Sequence, residues 1–290
     1  MKTLALVIGN DDYHQSAKLS NAVNDANAIK SEFERLGFDV ISKINCKATD
    51  ISDIYQEFSD KISSYDATIF YYAGHGFELD GENYFATIEC QIPPANVYVA
   101  KQNCIELDEF LKIFKKYPDK VNIVIIDACR KTFNRSGGAS LAPVSAPQGS
   151  LIAFSTSPND SASDEGFEGH SIYTGALLQY LGRERLSVEE LFKKVRKTVF
   201  DLSNGRQVTW EHTSLINDYY FNIGQRVYSL NVPYDESVVK DINFKSSDEF
   251  GVLIARLRSY NWNTQNPAIR KLLQIPINSL DKNQIGRAHV

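Results

Sequence analysis

The sequence predicts an α/β protein with a mostly parallel central sheet, helices flanking it, and a short C-terminal extension. Two runs carry that expectation. Ile123-Val124-Ile125-Ile126 and Ala67-Thr68-Ile69-Phe70-Tyr71-Tyr72 are short and apolar without alternation, the pattern of strands buried on both faces. The third observation is rhythm: strand, helix, strand, helix, strand from the N-terminus, which implies a doubly wound sheet with right-handed crossovers.

In order, Leu4–Ile8 reads as the first buried strand, followed by a polar loop through Ser20. Ala22, Ala26, Ile29, Phe33 and Leu36 recur at helical spacing, and Gly37 supplies the C-cap of that helix. Phe38–Ile44 is a second strand, and Ile51–Ile62 a helix announced by Thr49-Asp50. The Ala67 strand follows, then a long polar stretch from Phe77 to Asn103, a helix near Leu107–Phe114 and the Ile123 strand. Lys131 to Gln148, rich in Ser, Gly, Ala and Pro, reads as an exposed loop. Ser150–Thr156 is a strand, Ile172–Leu181 and Val188–Leu202 are helices, and Tyr219–Ile223 is a closing strand.

Residues 1–225 are therefore expected to form one domain and 226–284 an extension or the start of a second. Glu249–Tyr260 and Ala268–Leu273 read as short helices within it. Residues 285–290 reverse-translate into part of a common sequencing adapter. They are expected to be a non-native tail, and His289 is given no role.

With 290 residues and 43% hydrophobic content the chain can bury a large core. Its net charge of −5 offers no basic excess for nucleic acid. The apolar run Leu4–Ile8 is too short for a membrane span or a signal segment, so a soluble, cytoplasmic protein without membrane partners is expected. Cys46, Cys90, Cys104 and Cys129 show no CxxC spacing, and neither a zinc site nor a disulfide framework is suggested.

The chemistry lies at the ends of the two buried strands. One runs into Ala73-Gly74-His75-Gly76, the other into Asp127-Ala128-Cys129-Arg130. The carboxyl edge of an open α/β sheet is where ligands bind. If the strands are parallel neighbours, a thiol and an imidazole meet there, the minimum for nucleophilic catalysis. Either residue alone would ordinarily be structural; the paired placement favours catalysis. Cys46, Cys90 and Cys104 are read as structural or incidental. His14, His170 and His212 are read as solvent-exposed, although His170 stands close enough to the Ser171 helix to border the site.

These motifs resemble the caspase-like cysteine peptidases, above all their prokaryotic and metacaspase-like branch. Cys129 stands 54 residues after His75, and the family's histidine precedes its cysteine by about 50. Leu6-Val7-Ile8-Gly9-Asn10, Asn24-Asp25-Ala26 and Ser171-Ile172-Tyr173-Thr174 extend the resemblance over roughly Leu4 to Ile223. Asp127 and Lys131 depart from animal caspases, which carry glutamine and glycine there, and agree with the metacaspase side.

The resemblance implies a caspase-like fold and a Cys129–His75 dyad, with the Gly76 and Cys129 backbone N–H groups as oxyanion hole. It implies a pocket for a basic P1 residue, lined by Asp25 and Asp127, and a late pocket strand over Gln207–Glu211 on which Trp210 packs against the substrate. The other readings are a favourable helix N-terminal charge for Asp25 and an ordinary core tryptophan for Trp210.

No cofactor or metal is expected. Many metacaspases need calcium, and acids cluster at Glu78, Asp80, Glu82 and Glu89 and at Asp160, Asp164 and Glu165, but without an EF-hand pattern. The partner expected is a protein or peptide with a basic P1 residue, with a regulatory protein as a further candidate. Arg135 in the exposed loop is a candidate processing site. Two alternatives stand beside the peptidase: an idle caspase-fold interaction module, and a thiol hydrolase of small amides. Signalling, cell-death or antiphage systems are the context that family analogy suggests.

Overall fold

The computed structural model describes residues 1–128, 131–132, 144, 146–157, 169–224 and 270–271. The chain divides into two units, Met1–Gln225 and Arg226–Val290. The expected extension helices, apart from Arg270 and Lys271, and the 285–290 tail lie outside the described residues.

The strands are β1 (Thr3–Gly9), β2 (Asp39–Ile44), β3 (Ala67–Gly74), β4 (Gly76–Leu79), β5 (Glu82–Ala86), β6 (Cys104–Glu106), β7 (Val121–Ala128), β8 (Lys131–Thr132), β9 (Ser150–Phe154) and β10 (Trp210–Thr213). The helices are α1 (Ala22–Arg35), α2 (Ile51–Ile62), α3 (Val97–Asn103), α4 (Leu107–Lys115), α5 (Ile172–Leu181) and α6 (Val188–Leu202).

The main sheet has the order β10-β9-β7-β3-β1-β2. It is parallel except for β10, which pairs antiparallel with β9. β3 and β7 are its central strands, and their apolar runs are covered on both faces.

Alternation then assigns each side chain a face. Ile69, Tyr71, Ala73, Ile123 and Ile125 pack with α1, α5 and α6 in one core. Phe70, Tyr72, Val124, Ile126 and Ala128 pack with α2 and α4 in the other. Asp127 keeps step with Ile123 and Ile125, so its carboxylate emerges on the α1–α5 face. A fully buried aromatic residue contributes up to about 3 kcal/mol, and Phe70 stacked on Phe110 with centroids 4.1 Å apart anchors the second core.

Two expectations are corrected. The long polar stretch Phe77–Asn103, in which no element was expected, is regularly structured. It contains β5, α3 and all of β4 but Gly76, and β4 and β5 join β6 and β8 in a second sheet of order β6-β5-β4-β8. Its polar side chains misled because several are buried and bonded: Thr87 Oγ1, for example, donates to the Asn103 carbonyl at 2.8 Å.

Tyr219–Ile223 forms no strand. Ser187 and Tyr220, and Glu184 and Asn222, make isolated bridges, while Tyr219 and Phe221 are buried as core anchors. The late strand is β10, and β9 ends at Phe154, short of Thr156.

Among the described residues no helix is long and apolar enough to cross a membrane.

Candidate active site

The register of β3 and β7 brings the two motif ends together. Ala73 is opposite Asp127 and Gly74 opposite Ala128. Beyond that point the chains pair again, as β4 with β8, where Phe77 is opposite Lys131 and Glu78 opposite Thr132. In sequence, His75 and Gly76 fall between these two pairings on one segment, and Cys129 and Arg130 on the other. Cys129, Arg130 and Arg135 lie outside the described residues.

His75 is held on both sides of its ring and by its backbone. Its Nε2 is 2.6 Å from the carbonyl oxygen of Ala17. A carbonyl can only accept, so Nε2 carries the proton, and in the neutral ring Nδ1 is the basic nitrogen. The Tyr13 ring lies against the imidazole at a centroid distance of 4.5 Å. The His75 N–H donates to the Tyr13 hydroxyl at 2.8 Å. The Tyr72 hydroxyl donates toward the carbonyls of His75 (2.9 Å) and Ala86 (3.0 Å). With its proton so engaged, Tyr72 accepts from Tyr13 at 3.3 Å. Burial pushes both phenols well above their ordinary range, so they remain neutral donors.

Gly74 makes this convergence sterically workable. A Cβ there would lie 2.5 Å from the Tyr72 hydroxyl and 2.6 Å from that of Tyr13. Gly76 opens β4 opposite Phe85. Asn10, wholly buried, locks the neighbouring ends: its amide donates to Ala86 O and its oxygen accepts from Cys46 N, both at 2.9 Å.

Asp25 and Asp127 meet on the α1–α5 side of the sheet. Asp25 lies in the first turn of α1, where a carboxylate is favourable, and it is 1% exposed. It accepts from His170 Nδ1 at 2.7 Å and from the Ser171 N–H at 3.1 Å. Asp127 accepts from the Ser171 hydroxyl and from Thr174 Oγ1, the latter at 2.6 Å. Ser171 also caps α5, its Oγ accepting the Thr174 N–H at 2.9 Å. The Asp127 carboxyl is pushed up to about 6, first by burial and then by the charge of Asp25. Burial raises Asp25 as well, against the opposing effect of His170 and Ser171. His170 is therefore not the solvated loop residue of the general expectation; it borders the acidic pair, as its place before Ser171 suggested.

Trp210 opens β10 opposite Phe154 and is 46% exposed, which removes the core-tryptophan alternative. Gln207, buried just before it, donates Nε2–H to Ser155 O at 2.8 Å. Ser155 in turn donates its N–H to Ile126 O at 2.8 Å.

Two carboxylates of the first acidic cluster each hold a backbone N–H through one oxygen. Glu78 Oε1 accepts from Gly81 N at 2.8 Å, and Glu89 Oε2 from Ala48 N at 3.1 Å. Among the described residues no three His, Cys, Asp or Glu side chains form a group able to hold a metal ion. Asp160, Asp164 and Glu165 lie outside the described residues.

Several contributors were not legible as site residues in the sequence. Tyr13, Tyr72, Ser171 and Thr174 act through hydroxyls that become neighbours only on folding. The Ala17 carbonyl carries no signal, since every residue has one. The only advance pointer was Ser171-Ile172-Tyr173-Thr174, a hydroxyl three residues before a helical partner.

A family model described as Caspase domain matches residues 2–220. The mucosa-associated lymphoid tissue lymphoma translocation protein 1 of Homo sapiens is 26% identical over 128 residues, 44% of this chain and 15% of that protein. Its Mus musculus homologue matches to the same extent. Caspase-1 of Equus caballus is 24% identical over 250 residues, 75% of this chain and 58% of that protein. The chain thus spans a small part of the first two relatives and just over half of the third.

Proposed function

Because the chain belongs to the caspase domain family, we propose that it is a cysteine endopeptidase, with Cys129 as nucleophile and His75 as base, cutting after Arg or Lys. The observation that carries the reading is the interval between two pairings. Gly74 opposite Ala128 and Phe77 opposite Lys131 pair the segments that flank His75-Gly76 with the segments that flank Cys129-Arg130 in the sequence.

In the reaction the Nδ1 lone pair of His75 accepts the thiol proton, and the thiolate attacks the scissile carbonyl carbon. The backbone N–H groups of Gly76 and Cys129 receive the oxyanion, each such donor contributing about 3 kcal/mol. The imidazolium then protonates the leaving amine. Water, deprotonated by the same imidazole, hydrolyses the thioester. Ala17 fixes the tautomer that leaves Nδ1 basic, which supports the role of His75.

Asp25 and Asp127 supply the preference for a basic side chain. Their buried carboxylates disfavour one another's ionisation, and an entering guanidinium or ammonium relieves that cost. Trp210, exposed at the start of an edge strand, offers its ring to the substrate chain. No metal or cofactor is required by this chemistry.

The test uses fluorogenic peptides ending in Arg, Lys and Asp, together with a peptidyl-arginine ketone that alkylates a catalytic thiol. Arg and Lys peptides are expected to be cut and Cys129 to be labelled. Cys129→Ala and His75→Ala should each lower kcat/KM by about a thousandfold or more. Cleavage after Asp would overturn the basic preference. Failure to label Cys129 in folded protein would overturn the peptidase reading.

A further inference from the structure

We propose that Cys90 and Cys104 form a reversible redox site, closing to a disulfide under a peroxide and reopened by a dithiol, and that its state sets the mounting of His75. Fourteen residues separate the two cysteines, yet they converge in a small cluster beneath the second sheet, with Tyr13, Tyr84 and Ala86. Their sulfurs lie 2.8 Å apart, sharing a proton. A disulfide needs about 2.0 Å, so closure requires a displacement of under about an ångström.

The two thiols are not equivalent. The Cys104 S–H donates to Cys90, which lowers the Cys90 thiol below its ordinary range, while burial pushes Cys104 far up. Cys90 is thus the attacking sulfur. Cys90 is itself 1% exposed, and it directly precedes the exposed Gln91. Its thiolate takes one oxygen of hydrogen peroxide, giving a sulfenic acid and hydroxide. The Cys104 thiol then attacks that sulfur and expels water. Two thiols and one peroxide become one disulfide and two waters, and dithiothreitol reverses the change as it is oxidised to its own cyclic disulfide. Cys46 serves as an internal contrast: it is buried in another cluster, and its thiol is pushed up to about 12 chiefly by burial.

The link to His75 is short. The Cys90 carbonyl accepts from Ser16 Oγ at 3.3 Å, and Ser16 Oγ accepts from Ile92 N at 3.1 Å. The next residue is Ala17, whose carbonyl holds His75 Nε2. From the other side, Tyr13 packs in the dithiol cluster while its ring and hydroxyl support His75. Pulling Cys90 toward Cys104 therefore draws on both supports of the imidazole at once.

The dithiol itself is independent of the peptidase reading; its effect on turnover rests on that reading. Cys129→Ala protein is treated with hydrogen peroxide, alkylated, unfolded and mapped by mass spectrometry. The expected result is a Cys90–Cys104 cross-linked peptide, removed by dithiothreitol, with Cys46 still alkylatable after unfolding. Recovery of Cys90 and Cys104 as free thiols, or of Cys90 in over-oxidised form without the cross-link, overturns the site.

In the same protein the His75 imidazole resonances are expected to shift on oxidation and return on reduction. Unchanged resonances overturn the coupling whether or not the enzyme cleaves peptides. In wild-type protein, oxidised dithiothreitol is expected to lower kcat/KM on an Arg peptide about tenfold, reversibly, because catalysis is sensitive to sub-ångström misplacement. Cys90→Ala/Cys104→Ala should not respond. An equal response from the double variant overturns the control by this pair.

Discussion

Asp25 and Asp127, from different ends of the chain's first half, are joined through one residue: Ser171 gives its backbone N–H to Asp25 and its hydroxyl to Asp127. Both carboxylates are buried, at 1% and 7% exposure, and the His170 ring nitrogen lies 2.7 Å from Asp25. Burial raises both carboxyls, and at Asp127 the charge of Asp25 adds to it.

Stability should therefore fall as pH rises through the range where Asp127 ionises. Its carboxyl goes from an ordinary 3.8 to about 6 on folding, so between these values the native state binds more protons than the unfolded chain. By linkage, this contribution to stability is full below about pH 4 and is lost as pH rises through about 6. Asp127→Asn should flatten that decline while preserving the fold, because an amide oxygen still accepts from Ser171 and Thr174. Urea unfolding of both proteins at intervals from pH 4 to 7 measures it. Parallel slopes would contradict the assignment.

Tyr13→Phe should damage catalysis more than substrate binding. The ring contact with His75 survives, but the His75 N–H loses its acceptor and Tyr72 loses a donor. An unsatisfied buried N–H costs about 1–3 kcal/mol. The expected result is a kcat about tenfold lower with KM for an Arg peptide nearly unchanged, since the acidic pair lies elsewhere. Steady-state kinetics beside a thermal melt separates this from general unfolding.

Two glycine substitutions should fail for different reasons. In Gly9→Ala the new methyl would sit 2.5 Å from Ala26 Cβ and 2.8 Å from the Ala22 carbonyl. α1 must then move off the sheet, at a cost of about 2 kcal/mol or more by overpacking. Gly74→Ala instead drives a methyl into the Tyr13 and Tyr72 hydroxyls. It should lose activity even where the fold survives. Denaturant titration and peptide turnover of the two variants measure the contrast.

Arg135, in the loop read from sequence as exposed, should be cut by the enzyme itself. It is a basic residue shortly after Cys129 in a segment of small residues. Mass spectrometry of incubated wild type should show chains ending at Arg135, and neither Cys129→Ala nor Arg135→Ala should yield them. Full peptide turnover with an intact loop would leave Arg135 without a processing role.

The sequence by itself determined the central strands and what they deliver to the sheet edge. Runs such as Ile123–Ile126 are stable only when covered on both faces, so their place in the sheet is implicit in their composition. Alternation along the same strand already placed Asp127 on one face, and helical spacing did the same for the buried side of α1. What tertiary structure alone decided comes from contacts that have no sequence signature. The Ala17 carbonyl holds His75, and a backbone oxygen is common to every residue. The stretch around β4 and β5 looks polar in sequence, yet Glu78 and Thr87 are buried with bonding partners, and such pairings exist only after folding. Trp210 is exposed because β10 lies at the edge of the sheet. Cys90 and Cys104 meet through a hairpin and a helix rather than through close spacing. Local periodicity records which face a residue needs to bury; which distant atom it meets there depends on how the whole chain closes.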